Sequence, residues 1–505
     1  MTTHSPNIVF IMADQMVAQL TGVYGHPVVQ TPNLQRIADQ GVRFDAAYCA
    51  SPVCAPSRAS LLTGRMISDI GAWDNASPFA SDLPTIPHYL TTQGYETVLS
   101  GKMHFTGPDQ LHGYAKRLTT DVYPSGFGWT PSAYRAGRFK HPGNPEGPPI
   151  GIDYVTAGPV QWNDFLQYDE ETQYRALEYI RSKRTQLGGS RQVAHLPRDA
   201  RPFFLTVSFH HPHEPFQPTP KDWDRYNGAE IAGVQTPRAA NPPRSVMDDW
   251  VDALHGVDQI DVADPKAVYA MRRAYYALIS YVDDKVGELL DAVEACGLTD
   301  NTIFVFTSDH GDMLGERGMI QKRTFYEWSS RIPLLIGGTP VARKGVVWSE
   351  PVSMLDLLPT FCDLCGATPV AASGTSLAPL VNGDGIVEEH DVICEFHSEG
   401  VEAPCFMLRR GRWKYIHIHG HGRQLFDLQS DPRELKDVSN DPEHAALVAE
   451  LHGELANRFE MDSIADEVRA SYARRHVIRD AMKHGTAGWD YYPDPRSFNS
   501  YWHNG

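Results

Sequence analysis

Four short apolar runs, each ending in a cluster of polar residues, constrain the fold of this chain more than any other feature of its sequence. The runs cover residues 7–12, 96–99, 203–209 and 302–307. They are apolar on both faces, which is typical of strands that are covered on both sides in a parallel sheet. Stretches with a helical apolar stripe lie between them, the clearest at residues 264–296. This alternation predicts an α/β fold with a large doubly wound mixed sheet flanked by helices.

The polar clusters that end the four runs contain residue types that bind metals and anions. They include Asp14, Lys102, His104, His211, Asp309 and His310. In a doubly wound sheet ligands bind beyond the carboxyl ends of the strands, so we expect these side chains to meet at one edge. A single Asp after a strand is most often a helix cap, and a single His is most often structural. Four strand ends of the same kind favour a functional site.

The charge balance of the chain excludes some classes of partner. It has 45 Lys and Arg residues against 62 Asp and Glu residues, a formal net charge of −17. Binding to nucleic acid or to an anionic membrane needs a basic face, so we expect neither partner. The N-terminal sequence lacks a basic segment, and its apolar run is too short to span a bilayer. We therefore predict a cytoplasmic protein without a signal peptide.

The sequence pattern changes after about residue 375, which predicts a second domain. We place a catalytic α/β domain at residues 1–375 and a smaller α+β domain, with an antiparallel sheet and a helix at 442–460, at residues 376–470. Residues 471–505 form an extended tail with seven aromatic residues. A dispensable tail would be polar, so we predict that this one packs across the subunit interface of a homodimer or homotetramer.

The seven cysteines are too few and too scattered for a disulfide framework. Cys362 and Cys365 form a CxxC pair, a spacing that is found in zinc and redox sites. No second pair follows, and the apolar residues around them have helical spacing. We therefore expect a helix that faces the core.

The segment CASPVCAPSRASLLTGR at residues 49–65 is the most specific motif in the chain. It resembles the signature of type I sulfatases of the alkaline phosphatase superfamily, in which the cysteine is oxidised to formylglycine. The resemblance implies this conversion at Cys54 and, as a partner, a formylglycine-generating or equivalent maturation enzyme. The alternative is that Cys54 is a buried free thiol. The chain is most similar to bacterial choline-sulfatases, and this similarity covers nearly the whole chain. It is carried by four segments: AWDNASPF, residues 100–131, SDHGDMLGERG and ARRHVIRDAMKHG.

The resemblance implies a role for each residue of these motifs. As ligands of a divalent metal it implies Asp14, Gln15, Cys54, Asp309 and His310, with Gln15 standing where the family usually has a second aspartate. The implied ion is Ca²⁺, with Mg²⁺ or Mn²⁺ as alternatives. For the nucleophile and the sulfate group it implies Arg58, Asn75, Lys102, His104, His211 and Lys322. Either His104 or His211 would protonate the leaving group.

Two aromatic residues complete the implied site. Trp129 and Tyr123 lie in a stretch rich in Gly and Pro, and they would face the quaternary ammonium group of choline because aromatic faces attract methylated cations. Burial as anchors of the loop is an equally good interpretation. Asp312 and Glu316, in contrast, are interpreted as capping and surface residues.

These patterns favour a sulfatase that hydrolyses a sulfate monoester, choline O-sulfate or a related alkyl or aryl sulfate, to an alcohol and inorganic sulfate. One hydroxyl of the formylglycine hydrate would attack sulfur, and deprotonation of the other would release sulfate. The nearest alternative is a phosphonate monoester or phosphate diester hydrolase with the same nucleophile. A non-catalytic anion-binding protein and a phosphatase with a Ser or Thr nucleophile are weaker alternatives, because Asp14, Arg58 and Asp309 are all present and the signature residue is Cys54.

Overall fold

The structure is a computed structural model that describes residues 5–131, 151–184, 201–385, 387–485 and 488–493. Over these ranges the strands are β1 (Asn7–Asp14), β2 (Gly41–Phe44), β3 (Ala47–Tyr48), β4 (Glu96–Gly101), β5 (Lys116–Arg117), β6 (Phe203–Pro212), β7 (Thr302–Ser308), β8 (Arg331–Ile332), β9 (Leu334–Gly337), β10 (Val346–Trp348), β11 (Val352–Ser353), β12 (Val392–Phe396), β13 (Cys405–Arg410), β14 (Trp413–Ile418) and β15 (Gly422–Asp427). The α-helices are α1 (Pro32–Asp39), α2 (Cys54–Thr63), α3 (Ile67–Ile70), α4 (Ile86–Thr92), α5 (Ile152–Val155), α6 (Asp164–Ser182), α7 (Pro220–Asp224), α8 (Val246–His255), α9 (Pro265–Ala295), α10 (Glu327–Ser330), α11 (Leu357–Cys365), α12 (Ala378–Asn382), α13 (Ala445–Arg458) and α14 (Met461–Met482).

A mixed sheet forms the centre of the molecule. Its order among the described strands is β10-β2-β9-β7-β1-β6-β4-β5. The central strand β1 is parallel to both β6 and β7, and β4 is parallel to β6. β9 runs antiparallel to β7 and to β2. This sheet and the helices on its two faces confirm the predicted fold class.

The residues of β1 show why this sheet is covered on both sides. Ile8, Phe10 and Met12 belong to the core beneath α2, α4 and α11, whereas Val9 and Ile11 belong to the core beneath α1, α6 and α9. Successive side chains of a strand point to opposite faces, so a strand that is apolar throughout needs cover on both. The predicted helix at 264–296 is also confirmed, as α9.

A second sheet, β12-β13-β14-β15, is fully antiparallel and packs against α13 and α14. It corresponds to the strands predicted for the C-terminal part of the chain. Helix α14 runs without a break through position 470, where the sequence pattern places the start of the tail. The division of the chain at residues 375 and 470 remains a prediction.

The described residues of the tail beyond α14, residues 488–493, contact the same chain. The Ser125 backbone N–H donates to Asp490 Oδ1 at 2.8 Å, and the rings of Trp489 and Phe127 meet edge to face with centroids 5.2 Å apart. The last residues, 494–505, lie outside the described ranges. Packing of the tail across a subunit interface stays a prediction.

Two further expectations can be compared with the structure. All seven cysteines are buried and unbridged, and Cys362 and Cys365 lie on α11. This location agrees with a helix that faces the core. Across the described ranges, none of the helices has both the length and the apolar character that crossing a bilayer requires.

Candidate active site

The carboxyl ends of β1, β4 and β7 converge on the first turn of α2, as the sequence pattern predicts. Asp14 ends β1, Asp309 and His310 follow β7, and Cys54 begins α2. Cys54 Sγ lies 3.1 Å from His310 Nε2 and 3.9 Å from Asp14 Oδ1. One ligand atom from each of these four buried residues lies within 4.8 Å of the others. Lys102, the residue after β4, forms an ion pair with Asp14.

Helix α2 presents Cys54 from its N-terminus. Val53 caps the helix in an extended conformation without a side-chain hydrogen bond, and every residue of α2 is buried. The first N–H groups of a helix lack partners within the helix and favour an anion beside them. One of them is engaged by Asn75, whose Oδ1 accepts a hydrogen bond from Ala55 N at 3.0 Å. Asn75 therefore lies beside the nucleophile position, as the resemblance implies.

Arg58, one turn further along α2, holds the two carboxylates in place. Its Nε donates to Asp309 Oδ2 at 2.8 Å and its Nη2 to Asp14 Oδ2 at 3.1 Å. Its Nη1 donates to the Lys102 carbonyl at 2.6 Å and to Ser208 Oγ at 2.9 Å. The side chain is fully buried. Burial opposes the charged guanidinium, but Asp309 and Asp14 raise the pKa of Arg58, so it stays charged.

The donor atoms of this cluster fit a divalent cation. Burial opposes ionisation of Asp14, but Lys102 and its other cationic neighbours hold the pKa of this carboxyl well below its usual value. Burial lowers the pKa of His310 to about 4, although Asp309 acts in the opposite direction. His310 Nδ1 lies 3.0 Å from the Gly311 carbonyl, which leaves Nε2 facing Cys54. Two carboxylates and a neutral imidazole are the form in which these residues bind metals.

The thiol of Cys54 is a poor nucleophile in this setting. Burial, reinforced by Asp14, raises its pKa to about 12. The thiolate rather than the thiol is the reactive form of cysteine. An unmodified Cys54 would therefore be protonated at neutral pH.

Cationic and neutral donors line the other side of the cluster. Lys102 lies over the Tyr123 ring, with Nζ 4.3 Å from the centroid. Lys322 Nζ lies 2.9 Å from His213 Nε2. Neither ring nitrogen of the buried His104 has a hydrogen-bond partner among the described residues. Burial, with Lys102 nearby, lowers the pKa of His104 to about 3. Two lysines and a histidine thus lie beside the cluster in a chain whose net charge is negative.

The position of His211 differs from the expectation. Its backbone N–H and Nδ1 both contact Asp169 Oδ2 on α6, at 3.0 and 2.7 Å, and its ring packs against Tyr281 on α9. These partners belong to the helical layer rather than to the cluster. For His213, in the same segment, a backbone hydrogen bond is at least as good an interpretation of the sequence as catalysis. Its Nδ1 does lie 2.7 Å from the Glu214 carbonyl, while its Nε2 contacts Lys322 and its charge contributes to the low pKa of Asp14. Of the two histidines, His213 is thus the one that contacts a lysine beside the cluster.

Gln15 also has different partners from those expected of a metal ligand. Its side-chain N–H₂ group donates to Glu214 Oε2 at 2.6 Å, to Tyr154 OH at 3.1 Å and to Asp312. Its amide oxygen accepts from Lys322. The side chain thus connects the cluster to a neighbouring set of buried polar residues, and its oxygen is already engaged.

The interpretation of Asp312 and Glu316 as surface residues is wrong, although Asp312 Oδ1 does accept the backbone N–H of Leu314 at 2.8 Å, as a capping residue would. Asp312 is fully buried, accepts from Tyr154 OH at 2.5 Å, and has a pKa raised to about 7 by burial and by Glu214. Glu316 is 1% exposed and pairs with Arg272 on α9 at 2.6 Å. Local spacing gave no sign of these distant partners.

The two aromatic residues lie beside His104. The Tyr123 ring contacts those of His104 and Trp129, each with centroids 4.9 Å apart, and Trp129 meets His104 edge to face at 5.6 Å. Tyr123 is buried against Lys102, whereas Trp129 is partly exposed. Trp129 is therefore the better placed of the two to meet a ligand that enters from solvent.

Two acidic residues near the site were missed in the sequence. Asp121 Oδ2 accepts the backbone N–H groups of Met103 and His104, at 3.0 and 2.8 Å. Glu399 accepts the backbone N–H of Asn75 at 3.2 Å and its side-chain N–H at 3.3 Å. Glu399 follows β12, another apolar run that ends in polar residues, so the same pattern that revealed the other strand ends was present there.

Comparisons with known proteins agree with this geometry. The family model "Sulfatase" matches residues 6–367, and the model "N-sulphoglucosamine sulphohydrolase, C-terminal" matches residues 315–460. The chain is 37% identical to a choline-sulfatase of Rhizobium meliloti over all of this chain and 97% of that protein. It is 28% identical to an arylsulfatase of Clostridium perfringens, over 90% and 94% of the two chains.

Solved structures share the fold. A 2-O GAG sulfatase superposes with a TM-score of 0.70 at 24% identity and covers 92% of this chain and 94% of its own. A phosphonate monoester hydrolase of Agrobacterium radiobacter superposes with a TM-score of 0.69 at 23% identity, over 92% and 96%. At these identities the likeness concerns the fold alone. The family match over most of the chain and the full-length identity to a curated relative carry the assignment: this chain belongs to the sulfatase family and is a sulfuric ester hydrolase.

Proposed function

We propose that this sulfatase acts through a formylglycine formed from Cys54, with a divalent metal beside it, and that its substrate is choline O-sulfate. The observation that carries the proposal is the position of Cys54 at the N-terminus of α2, with Sγ 3.1 Å from His310 Nε2 in a fully buried cluster. Burial raises the pKa of the unmodified thiol to about 12, whereas a hydrated aldehyde carries two hydroxyls that do not depend on a thiolate.

Asp14, Asp309, His310 and residue 54 would hold the metal. A bound divalent cation would supply positive charge for the oxygens of the nucleophile and of the sulfate group. The ion proposed is Ca²⁺, which takes oxygen ligands, although a histidine ligand is more usual for Mn²⁺ or Zn²⁺. Metal analysis of the purified protein tests this choice, and one equivalent of Mn²⁺ or Zn²⁺ in place of Ca²⁺ would overturn it.

The residues of the chain orient the ester and move the proton. Lys102, Lys322 and His213 lie together on one side of the cluster, where their N–H groups would bind the sulfate oxygens. An alkoxide leaving group needs a proton, and His104 or His213 would donate it. Burial and neighbouring lysines lower the pKa of both histidines in the empty enzyme. An anionic substrate offsets that positive charge, so we propose that binding itself raises the pKa of the acid.

Choline is proposed as the leaving group because of the aromatic side of the site. The partly exposed Trp129 lies beside His104, and its ring face suits a quaternary ammonium that has no N–H to donate. A choline-sulfatase is also the relative with 37% identity over the full chain.

Kinetics with four substrates test the choice of substrate. We expect kcat/KM for choline O-sulfate to exceed that for a sulfate ester of an alkyl alcohol without an ammonium group and that for an aryl sulfate. A phosphonate monoester tests the alternative with the same nucleophile. A higher kcat/KM for the phosphonate than for every sulfate would overturn the proposed substrate class.

Mass spectrometry of the tryptic peptide at residues 44–58 tests the nucleophile. This peptide contains Cys49 as well as Cys54, so an alkylating reagent adds two groups to the unmodified form and one to the formylglycine form. Protein made together with a maturation enzyme should give the singly alkylated peptide. Finding only the doubly alkylated peptide would refute the mechanism. Cys54→Ala should abolish turnover, whereas Cys49→Ala, at a buried thiol outside the cluster, should not.

We also retain the proposals of a homo-oligomer and of a cytoplasmic location. Val477 and Ile478 on α14 are 71% and 40% exposed, which supports an apolar contact there. Truncation after Gly485 preserves α14 and removes the part of the tail beyond it. An unchanged elution volume of the truncated protein would refute a role of the tail in assembly.

A further inference from the structure

The C-terminal helix α14 reaches the nucleophile through a buried ion pair. Arg475 Nη1 donates to Asp74 Oδ1 at 2.7 Å and Nη2 to Asp74 Oδ2 at 2.8 Å. The two side chains are 3% and 1% exposed. Burial opposes ionisation of Asp74, but Arg475 lowers its pKa below the ordinary value, so the carboxylate stays charged. A two-bond arginine–carboxylate contact fixes direction as well as distance.

Asp74 precedes the residue that contacts the start of α2. Its neighbour Asn75 accepts a hydrogen bond from Ala55 N at 3.0 Å, and Ala55 follows Cys54 directly. The backbone around Asn75 is tightly held, because Asp74 Oδ1 accepts a hydrogen bond from Ala76 N at 2.9 Å. A shift of Asp74 would therefore move Asn75 relative to the first turn of α2.

Two further contacts connect α14 to the same region. Tyr472 OH lies 2.5 Å from Ser398 Oγ, which donates to Asp74 Oδ2 at 2.8 Å. Arg475 Nη1 also lies 3.4 Å from the hydroxyl of Thr130, the residue after Trp129. One arginine thus contacts the loop beside the nucleophile and the loop that carries the aromatic side of the site.

We propose that Arg475 is a positioning residue of the sulfatase reaction, which sets the geometry of residue 54 through Asp74 and Asn75. It touches neither the cluster nor the substrate. The inference rests on the proposed nucleophile at position 54. Displacing a reacting group by about 1 Å costs on the order of 100-fold in rate, so loss of the contact lowers kcat even in a folded enzyme.

The test separates positioning from stability with a double variant. Arg475→Met alone leaves a buried carboxylate unpaired and destabilises the protein. Asp74→Asn/Arg475→Met removes both charges, and the asparagine keeps an oxygen for Ala76 N–H. We expect this variant to keep a thermal midpoint near that of the wild type and the same formylglycine content. Its kcat should be at least about tenfold lower with little change in KM, as for an interaction that matters only in the transition state.

Lys414→Met provides the matched control. Like Arg475, Lys414 is a buried cation, but it lies on β14 of the C-terminal sheet. It pairs with Glu434 at 2.9 Å and with Glu327 at 2.7 Å, and neither partner contacts the nucleophile cluster. We expect lower thermal stability and an unchanged kcat. An equal loss of kcat in this control would overturn the proposal, because it would reflect general destabilisation.

Arg475→Lys keeps the test informative if the double variant does not fold. A lysine preserves the charge but not the two parallel bonds, so kcat should fall while the thermal midpoint changes little. Wild-type kcat in either variant would overturn the positioning role. Wild-type turnover of a sulfate monoester and the formylglycine content are measured first, so failure of the proposed function is seen separately.

Discussion

Replacing Arg58 by methionine should destabilise the protein strongly, and a divalent cation should restore part of the loss. Methionine keeps much of the apolar length of the side chain but donates no hydrogen bonds. The arginine makes four hydrogen bonds of 2.6–3.1 Å inside the cluster, two of them to carboxylates. The perturbation therefore removes positive charge from between Asp14 and Asp309.

The size of the loss follows from what each carboxylate retains. Asp14 keeps Lys102 as an ion-pair partner. Asp309 keeps the backbone N–H groups of Gln15 and His310 on Oδ1, each at 3.0 Å, but its Oδ2 loses the arginine Nε. We therefore count one unpaired buried charge, which costs about 3–5 kcal/mol. A free cation at 100 times its Kd stabilises a folded protein by about 2.7 kcal/mol. It offsets the cost relative to wild type only by as much as the variant, which lacks the competing Arg58 charge, binds the cation more tightly, about 1.4 kcal/mol for each tenfold in Kd.

Thermal unfolding with a chelator and with excess Ca²⁺ measures both effects. The difference in thermal midpoint between wild type and Arg58→Met should be largest with the chelator and should become smaller when the cation is added. Arg65→Met is the control, because Arg65 lies just beyond α2 and donates only a 3.4 Å hydrogen bond to the Asp69 carbonyl. The free energy of unfolding of this control should differ from that of the wild type by no more than about 0.5 kcal/mol. Equal midpoints for the two variants in the chelator would refute the reasoning.

Three further predictions follow from the contacts described. His213→Asn should remove most of the turnover, whereas His211→Asn should mainly lower the thermal midpoint; the reverse pattern in a sulfate-release assay would contradict our placement of the two side chains. Trp129→Ala should raise KM for choline O-sulfate more than KM for an aryl sulfate, and an equal rise would argue against an ammonium contact. Burial opposes ionisation of Glu96, but hydrogen bonds from two lysines and from Tyr179 lower its pKa to about 2. The folded-state pKa is thus below the unfolded one, so Glu96→Gln should lower the free energy of unfolding by about 1–3 kcal/mol at neutral pH. The difference in thermal midpoint between wild type and variant should vanish as the pH falls from about 4.5 to 2. A difference that does not change with pH would refute this.

The sequence predicted the edge of the sheet at which the site lies, because strands that are buried on both faces leave a clear apolar pattern. Asp14, Asp309 and His310 follow such strands and do meet there. Cys54 was found for another reason, since its motif is specific enough to be recognised without the fold.

The choice between His211 and His213 could not be made from the pattern. The register between β1 and β6 shifts after Ala13, so that Asp14 pairs with Pro212 while Ala13 pairs with Phe209. The alternation of side chains breaks at such an irregularity, and the faces of the residues that follow cannot be extrapolated. Only the partners in the folded protein, Asp169 and Lys322, distinguish the two histidines.

Buried acidic residues were also beyond the reach of local reasoning. The partners of Asp312 and Glu316 are Tyr154 and Arg272, and neither is a neighbour in sequence. An exposed position is the usual fate of an acidic residue, and only a distant partner makes burial tolerable.

The ion pair between α14 and Asp74 also has a consequence for the order of events during synthesis. Cys54 is 1% exposed in the finished fold, so the maturation enzyme of the proposed mechanism must reach it before the site closes. Arg475 is made long after Cys54, and a ribosome adding about 5–20 residues per second needs on the order of 20–80 s to travel between them. The helix that completes the contacts around residue 54 thus emerges only after this interval. On the proposed mechanism, residue 54 has the same interval in which to be oxidised.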